Sequence, residues 1–206
     1  MPITFYLARH GQSFGNLNGD MAGGDPELTP LGLEQAEKLI EKFADIPLNA
    51  VYASTRIRTQ QTAKPVATHK KLPIQVIDHL KERFFGSLEE KTGEEIMKLH
   101  GDKYRAFDVA PFEEQMHWKL VEDEETFAEV MDRVVGFMNT FEHDENEQHI
   151  LLVSHANVLV PMLVHLGFAS FKQLPNGSIQ NTSFIKILKD DEGIKLLGVD
   201  GITKTE

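Results

Sequence analysis

The sequence predicts an α/β fold, a three-layer sandwich in which a mostly parallel central sheet is flanked by helices. Short apolar runs rich in branched and aromatic residues alternate with segments whose apolar residues recur at helical spacing. This alternation is typical of a parallel sheet with helices on both faces. The 206 residues can form one compact core, and no repeat or linker-like stretch divides them. We therefore expect a single domain over residues 1–206.

Five apolar runs predict the strands of this sheet. They lie at residues 3–7, 50–53, 74–77, 150–153 and 184–188. All five are short and rich in branched or aromatic side chains, as expected of strands that are buried in a sheet.

The first long helix is predicted after Thr29, a residue type that caps helix starts, with Pro30 in the first helical position. Its apolar face should consist of four residues at helical spacing, Leu33, Ala36, Ile40 and Phe43. A second helical stretch at residues 56–68 contains Pro65, and we expect a kink or break there because proline removes a helical hydrogen bond.

Another helix is predicted from six apolar residues at helical spacing, namely Phe127, Val130, Met131, Val134, Met138 and Phe141. The acidic residues 123–125 precede it, where the positive end of its dipole would lie. Residues 86–118 are the least periodic part of the chain, and they contain His100, His117 and the only tryptophan, Trp118. We expect this stretch to be an inserted capping segment over a sheet edge.

Composition excludes several classes of function. The formal net charge of −11 argues against a nucleic-acid partner, because phosphate backbones are bound by clustered Lys and Arg. The chain has no cysteine, so a thiolate nucleophile and thiolate metal ligands are ruled out. The apolar runs are shorter than the roughly 20 residues of a membrane-spanning helix, and no secretory signal is visible at the N-terminus. We expect a cytoplasmic protein.

The first cluster of functional interest is Arg9-His10-Gly11, which follows the predicted strand at residues 3–7. In an open parallel sheet, ligands bind beyond the carboxyl ends of the strands. An arginine and a histidine there, followed by a glycine that allows close backbone approach, suit a phosphate group. Alone, such a short motif would more often be a pair of solvated polar residues that match by accident.

A second histidine follows the predicted strand at residues 150–153, in the sequence His155-Ala156-Asn157. If the two strands are neighbours, His10 and His155 can face each other across a pocket mouth. One would then act as a nucleophile and the other as a hydrogen-bond donor. On its own, His155 would equally suit a helix start that is satisfied by backbone groups.

Two arginines follow the predicted strand at residues 50–53. Arg56 and Arg58 lie near the start of the next helix, where free N–H groups and the helix dipole favour anions. Arginines are poorly placed there unless an anion is bound, although solvation at the surface is the simpler alternative. A guanidinium group also suits the fork-shaped recognition of a phosphate.

Together these clusters resemble the histidine phosphatase superfamily, which includes cofactor-dependent phosphoglycerate mutases and many small phosphomonoesterases. The resemblance spans nearly the whole chain. Arg9-His10-Gly11 corresponds to the family signature, and residues 28–36 and 80–89 match two further family segments. The fold implied is the phosphoglycerate mutase-like α/β sandwich.

The chain departs from the family pattern in two places. The second histidine motif usually reads His-Gly, whereas here Ala156 follows His155. The arginine helix often begins with Pro-Leu, whereas this chain has Thr55-Arg56, so that Arg58 is identified as the phosphate-binding arginine and Arg56 has no assigned role.

The resemblance implies a phosphatase site that requires no metal and no other cofactor. His10 would attack phosphorus and form a phosphohistidine, while Glu82 would protonate the leaving oxygen and then activate water. Arg9, Arg58 and His155 would bind the phosphoryl oxygens. The further substrate contacts expected around these five residues are Gly11, Gln12, Ser13, Asn16, Arg83, Ala156 and Asn157.

The reaction implied is hydrolysis of small phosphorylated metabolites, with inorganic phosphate as product. Neither a nucleic acid nor a membrane is expected as a partner, and a homodimer stays open. A phosphoglycerate mutase that depends on 2,3-bisphosphoglycerate is the main alternative. It would need extra basic residues over the pocket, and residues 86–118 interleave basic with acidic ones. A catalytically idle binding protein is a second alternative, disfavoured because all five central residues are retained.

Overall fold

A computed structural model of the chain describes residues 1–18, 24–89, 91–142 and 144–206. Its centre is one six-stranded sheet. The strands are β1 (Ile3–Arg9), β2 (Ala50–Ala53), β3 (Ile74–Val76), β4 (Gln148–Ser154), β5 (Ile179–Asp190) and β6 (Gly193–Ile202). Their order across the sheet is β3-β2-β4-β1-β5-β6.

Four of the strands are parallel, which confirms the predicted fold class. β1 and β2 both pair with β4 in parallel, and β2 pairs with β3 in the same sense. β5 is antiparallel to β1, and β6 is antiparallel to β5. All five predicted strands are present. β6 was not predicted, because it is an edge strand whose residues are nearly all exposed or only partly buried, so it lacks a strong apolar pattern.

Seven α-helices are found in the described part of the chain. They are α1 (Phe14–Asn18), α2 (Pro30–Phe43), α3 (Ile57–Lys70), α4 (Gly93–Val109), α5 (Phe112–Met116), α6 (Phe127–Asn139) and α7 (Ala156–His165). Short 3₁₀ turns lie at Asp78–Leu80, Gly86–Leu88 and Phe171–Gln173. Among the described residues, no helix combines the length and the apolar character that crossing a membrane requires.

The sheet separates two apolar cores, which gives the three layers. Side chains alternate between the two faces of a strand. In β1, Phe5 and Leu7 therefore pack into the core that contains α6 and α7, whereas Tyr6 and Ala8 pack into the opposite core with α2 and α3. Both faces of the central strands are covered, so their sequences are almost continuously apolar.

The start of α2 agrees with the prediction, but its buried face does not. Thr29 caps the helix by accepting a hydrogen bond from the Gly32 backbone N–H at 3.0 Å, and Pro30 is the first helical residue. Leu33 was predicted to be buried and is exposed, and Ile40 is only partly buried. The buried residues are Gly32, Ala36, Leu39 and Phe43.

α3 does not break at Pro65, one of the two outcomes predicted there, because the helix continues through it to Lys70. Proline lacks the N–H that would bond one turn back, so one helical hydrogen bond is missing. Ala63, Val66 and Ala67, on either side of the proline, are buried in the same core. This packing stabilises the helix on both sides of the proline.

The acidic residues 123–125 directly precede α6, as predicted, but they do not cap it. Thr126 caps this helix together with Glu129, each side chain bonding the backbone N–H of the other residue. Glu124 and Glu125 instead pair with Arg83 and Arg133. The helix start is satisfied by its own capping box, which leaves the acidic run free for ion pairs.

Residues 86–118 are mostly helical, although no helix was predicted there. α4 occupies Gly93–Val109 and α5 occupies Phe112–Met116. Only Ile96 and Gly101 of α4 are buried, so the helix shows little of the apolar periodicity on which a sequence prediction depends. The segment does cover the site described next, as its predicted capping role requires.

Candidate active site

Two neighbouring parallel strands bring the two predicted histidines together. β1 ends at Arg9 and β4 ends at Ser154, and these two residues are opposite each other in the sheet register. The His10 backbone N–H donates to the Ser154 carbonyl at 3.0 Å. His10 and His155 follow directly, and their ring centroids are 5.2 Å apart at an interplanar angle of 64°.

The His10 ring is held in one tautomer by its own loop. Nδ1 lies 2.7 Å from the Gly11 carbonyl oxygen, which can only accept, so Nδ1 carries the proton. Nε2 therefore keeps its lone pair. The ring is buried, and burial together with the charges of Arg58 and Arg9 holds the pKa of His10 well below its usual value. His10 is thus a neutral base whose Nε2 lone pair can accept.

Arg58 connects the two histidines. Its Nε donates to His10 Nε2 at 3.2 Å, and its Nη2 donates to His155 Nδ1 at 3.3 Å. Nη1 has no hydrogen-bond partner among the described residues, and it lies 4.0 Å from Asp25 Oδ1. The same Asp25 oxygen accepts from the Ile57 backbone N–H at 2.8 Å, at the start of α3. Arg58 therefore has a donor to spare for an anion.

His155 precedes α7 and is completely buried. Because Arg58 can only donate, Nδ1 of His155 accepts, and Nε2 donates to Ser54 Oγ at 2.8 Å. Burial, followed by the nearby His10 and Arg58, holds the pKa of His155 well below its usual value. In this arrangement His155 orients Arg58 and does not itself line the pocket.

Arg9 precedes His10 in the chain and is anchored to β5. Its Nη1 donates to the carbonyl of Ile179 at the start of β5, and its buried Nε has no partner in the described chain. Like Arg58, it holds a positive charge that acts on His10. Two guanidinium groups close to His10 suit an anion.

Glu82 is the acidic group of the site. Its Oε1 accepts from the Arg83 backbone N–H at 2.9 Å, and its Oε2 lies 3.5 Å from Asn157 Nδ2. Burial raises the pKa of Glu82 above its usual value, while the Arg83 backbone bond and the charges of Arg58 and Arg9 act in the opposite direction. A carboxyl group with a raised pKa is suited to donate a proton near neutral pH.

Two of the predicted substrate contacts, Gly11 and Gln12, belong to the loop that follows β1 and do not line the pocket. Gly11 bonds His10 through its carbonyl and Thr62 Oγ1 through its N–H, at 3.0 Å. The Gln12 side chain accepts a hydrogen bond from Thr29 Oγ1 at 2.9 Å. The contact of Gly11 and Gln12 with substrate stays a prediction.

The remaining predicted contacts line the pocket: Ser13, Asn16, Arg83, Ala156 and Asn157. Ser13 and Asn16 form a small loop in which Asn16 Oδ1 accepts from the Ser13 backbone N–H at 3.1 Å. Of the residues without an assigned role, Trp118 lines the pocket, whereas Arg56, His100 and His117 do not.

One support of His10 comes from β5 and was not predicted. Asn181 Nδ2 donates to the His10 carbonyl at 3.0 Å, and Thr182 adopts a left-handed backbone with φ of 58°. The register of β5 against β6 shifts between Ile179 and Phe184, on either side of this point. The only signal in the sequence was the polar pair Asn181-Thr182, shortly before the strand predicted at residues 184–188.

The pocket extends well beyond the phosphate site, with a volume of about 740 Å³. Its far wall is mainly apolar and comes from the capping segment and its neighbours, including Phe85, Ile96, Met97, Tyr104, Phe107, Trp118, Leu120, Phe127, Phe171 and Leu174. Phe14 and Phe84, by contrast, are exposed and lie outside the pocket.

A buried ion pair completes this wall. Arg83 Nη2 lies 3.3 Å from Glu124 Oε1, and the Arg83 guanidinium packs between two aromatic rings, 4.3 Å from the Phe127 centroid and 5.2 Å from that of Phe85. The second carboxylate oxygen of Glu124 has no partner among the residues that the structure describes. Within those same residues, no group of three or more His, Cys, Asp or Glu side chains is arranged to hold a metal ion.

The chain is similar to known phosphatases. The family model for the histidine phosphatase superfamily (branch 1) matches residues 5–200. The adenosylcobalamin/alpha-ribazole phosphatase of Escherichia coli is 30% identical over 80% of this chain and 79% of its own length. A putative phosphoserine phosphatase 2 of Hydrogenobacter thermophilus is 26% identical over 97% of this chain and 96% of its own length.

A solved structure is similar over its whole length. Bacillus stearothermophilus YhfR superposes with a TM-score of 0.80 and 27% identity, covering 98% of each chain. The match of a family model to almost the entire chain, together with these phosphatase relatives, shows that the chain belongs to the histidine phosphatase superfamily (branch 1) and is a hydrolase of phosphate esters.

Proposed function

We propose that this chain is a metal-independent phosphomonoesterase that acts on small phosphorylated metabolites through a phosphohistidine at His10. The observation that carries the proposal is the His10 tautomer. The Gly11 carbonyl oxygen lies 2.7 Å from Nδ1 and fixes the proton there. Nε2 therefore presents a lone pair beside two arginines. A neutral imidazole in that setting is a nucleophile that needs no separate base.

In the first step, His10 Nε2 would attack phosphorus in line with the ester oxygen. Arg58 Nε donates to Nε2 in the structure, and this bond would transfer to a phosphoryl oxygen when substrate enters. Arg9 and Arg58 would then neutralise the charge that is spread over the transferring group. His155 would hold Arg58 in place through the bond at Nδ1, and its depressed pKa keeps that nitrogen able to accept.

Glu82 would supply the proton that the leaving oxygen needs. Burial raises its pKa, so the protonated form persists toward neutral pH. After the alcohol leaves, the Glu82 carboxylate would accept a proton from the water that attacks the phosphohistidine. Hydrolysis releases inorganic phosphate and regenerates neutral His10, and Asn157 and the Arg83 backbone N–H would hold the carboxyl group through both steps.

The named activities of the relatives support the proposed reaction type. Those relatives are called an adenosylcobalamin/alpha-ribazole phosphatase and a putative phosphoserine phosphatase, and both activities are hydrolyses of a phosphomonoester. We also place the enzyme in the cytoplasm, working without a nucleic-acid or membrane partner.

The test is phosphate release from a panel of phosphomonoesters in the presence of chelator, comparing the wild type with His10→Ala and with the exposed-histidine control His117→Ala. We expect chelator-resistant turnover in the wild type and the control, and loss of turnover and of covalent phosphate labelling in His10→Ala. Adding 3-phosphoglycerate with and without 2,3-bisphosphoglycerate tests the mutase alternative. Turnover by His10→Ala at the wild-type rate would refute the nucleophile, and bisphosphoglycerate-dependent interconversion would make the enzyme a mutase.

A further inference from the structure

The apolar far wall of the pocket indicates which kind of alcohol the substrate would contain. Phe107 contacts three other aromatic rings, with centroid distances of 6.0 Å to Trp118, 6.1 Å to Phe127 and 5.4 Å to Phe171. Phe127 and Phe171 stack at 4.7 Å. These four residues, which we call the aromatic wall, all line the same pocket as His10. The wall is therefore continuous with the phosphate site.

The size of the pocket exceeds the needs of a compact ester. A volume of about 740 Å³ falls within the range of roughly 300–1,000 Å³ that encloses ligands of drug size. A three-carbon metabolite bound through its phosphate at Arg9 and Arg58 would leave the aromatic wall without a contact. A bulky apolar body would remove this surface from water and gain affinity from it.

The charges of the pocket oppose a second anionic group. Among the described residues that line it, the cationic side chains are Arg9, Arg58 and Arg83. Arg9 and Arg58 flank His10, whereas Arg83 is neutralised by Glu124 and sandwiched between Phe85 and Phe127. The residues outside the described ranges contain neither lysine nor arginine.

Glu124 leaves the far wall without a free cation. It is buried and pairs with Arg83, so the guanidinium charge of Arg83 is already compensated. A carboxylate or a second phosphate on the substrate would lose its hydration against the far wall without an unpaired cation to bind. The cost of such a desolvated and unpaired group acts against the wrong ligand.

We infer that the enzyme selects phosphomonoesters of alcohols with a bulky, uncharged and largely apolar body, and rejects compact esters that carry a carboxylate or a second phosphate. The inference rests on the proposed phosphatase function and specifies the substrate class of the same pocket. It favours uncharged ring-bearing alcohols over phosphoglycerates.

The test compares kcat/KM for ethyl phosphate, 2-phenylethyl phosphate and 3-phosphoglycerate. The first two are both esters of primary alcohols, so leaving-group chemistry is nearly matched and the phenyl ring is the main difference. We expect 2-phenylethyl phosphate to exceed ethyl phosphate by roughly 10- to 100-fold, the gain from burying one phenyl group. We expect 3-phosphoglycerate to fall about tenfold or more below ethyl phosphate because its carboxylate would be desolvated without an unpaired cation to bind.

Variants of α4 then locate the effect. Phe107→Ala should lower the ratio of 2-phenylethyl to ethyl phosphate activity several-fold, while Leu99→Ala, an exposed apolar residue of the same helix outside the pocket, should keep the wild-type ratio. If Phe107→Ala fails to fold, as judged by circular dichroism, Met97→Ala decides, because Met97 lines the pocket and is half exposed.

The outcomes separate this inference from the proposed function. A ratio near one, or a preference for 3-phosphoglycerate, with hydrolysis that still depends on His10, would overturn the substrate class and leave the phosphatase intact. A ratio unaltered by the pocket variants would do the same. Absence of His10-dependent hydrolysis for every ester would overturn the proposed function and the inference with it.

Discussion

At the scale of single residues, burial shifts the pKa values of two groups of the site in opposite directions. Burial and the charges of Arg58 and Arg9 hold the pKa of His10 well below its usual value, and burial raises the pKa of Glu82 above that of a free glutamate. The difference arises from charge type, because desolvation disfavours imidazolium and carboxylate alike. One buried pocket thus combines a neutral imidazole with a carboxyl group that keeps its proton to higher pH, the pair of groups that the proposed nucleophile and acid require.

Glu82→Gln should slow hydrolysis most for esters of alcohols, since the amide cannot protonate the leaving oxygen. We expect kcat/KM for alkyl phosphates to fall by about 10²- to 10⁴-fold, and much less for 4-nitrophenyl phosphate, whose leaving group needs no proton. In the wild type, activity on alkyl esters should decline as pH rises through the raised pKa of Glu82, and this decline should be absent from the variant. Steady-state kinetics across pH measures both effects.

Glu94→Gln, which alters an exposed glutamate of α4, is the control for that experiment. It should retain the wild-type dependence on leaving group and on pH. An equal loss of activity for alkyl and nitrophenyl esters in Glu82→Gln would argue against the acid role.

The residues of the site were largely predictable, whereas their partners were not. Arg9, His10 and His155 follow apolar strands, so the pattern gave their positions directly. Which carbonyl fixes His10 depends on a loop conformation that no periodicity describes, and the Asn181 contact comes from 171 positions away. Local pattern locates a side chain on an element, but only the folded chain determines what it touches.

At the scale of elements, the loop after β1 is held by a close contact with the start of α2. A β-carbon on Gly32 would lie 2.0 Å from the Gln12 carbonyl oxygen, and one on Gly11 would lie 2.6 Å from the Gly32 carbonyl oxygen. Neither opposing atom belongs to a flexible side chain. The two backbones can touch only because both residues are glycine, and this contact positions the loop that orients His10.

Gly32→Ala should therefore displace the loop after β1, with loss of stability and a larger loss of activity. Overpacking of this kind costs about 1–3 kcal/mol of unfolding free energy, and a shift of the His10 nucleophile lowers kcat further. Gly136→Ala is the matched control, since its new β-carbon on α6 would meet nothing within 4 Å. It should stabilise the protein by roughly 0.5–1 kcal/mol through helix propensity. Urea denaturation and turnover of both variants test the contrast, and equal effects would refute it.

The buried pair of Arg83 and Glu124 makes a second prediction at this scale. Glu124→Gln leaves the Arg83 cation buried without its compensating charge, and breaking such pairs costs about 3–5 kcal/mol of unfolding free energy. Asp102→Asn breaks the exposed pair with Arg105 on α4 and should cost less than about 1 kcal/mol. Urea denaturation compares the two, and a loss for Glu124→Gln no larger than the control's would show that the buried pair is not needed for stability.

Prediction from sequence succeeded for elements with a strong buried face and failed for the others. The strands at the centre and α6 pack apolar residues against the cores, so their periodicity was visible. α4 and β6 are mostly exposed, and both were missed. The aromatic wall could not be predicted from the sequence either. Phe107 lies on α4, which was missed, and it contacts Phe171 only in the folded chain.

At the scale of the whole molecule, the acidic chain concentrates positive charge at one end of its sheet. The net charge is −11, yet Arg9 and Arg58 flank the pocket where β1, β2 and β4 end. The parallel arrangement causes this, because it brings the carboxyl ends of strands that are far apart in sequence to one edge. The same burial that creates the site has a cost for stability, which depends on pH.

The unfolding free energy should fall as pH decreases below about 6.5, the ordinary pKa of histidine. His10 and His155 have depressed pKa values in the folded state, so in this range the unfolded chain binds more protons. Stability is therefore lost as pH falls, by up to about 1.4 kcal/mol per pH unit for each histidine. The raised pKa of Glu82 acts in the opposite sense, since the folded state then retains a proton that the unfolded chain releases as pH rises above about 4.5.

Urea denaturation at pH 6.5 and pH 5.5 measures this linkage. His10→Gln removes one of the two buried imidazoles, so its loss of stability between these pH values should be smaller than that of the wild type by up to about 1.4 kcal/mol. His117→Gln removes an exposed imidazole instead and serves as the control. If His10→Gln and the wild type lose the same stability on acidification, His10 does not remain neutral in the fold, and the nucleophile would then have to lose a proton before each turnover.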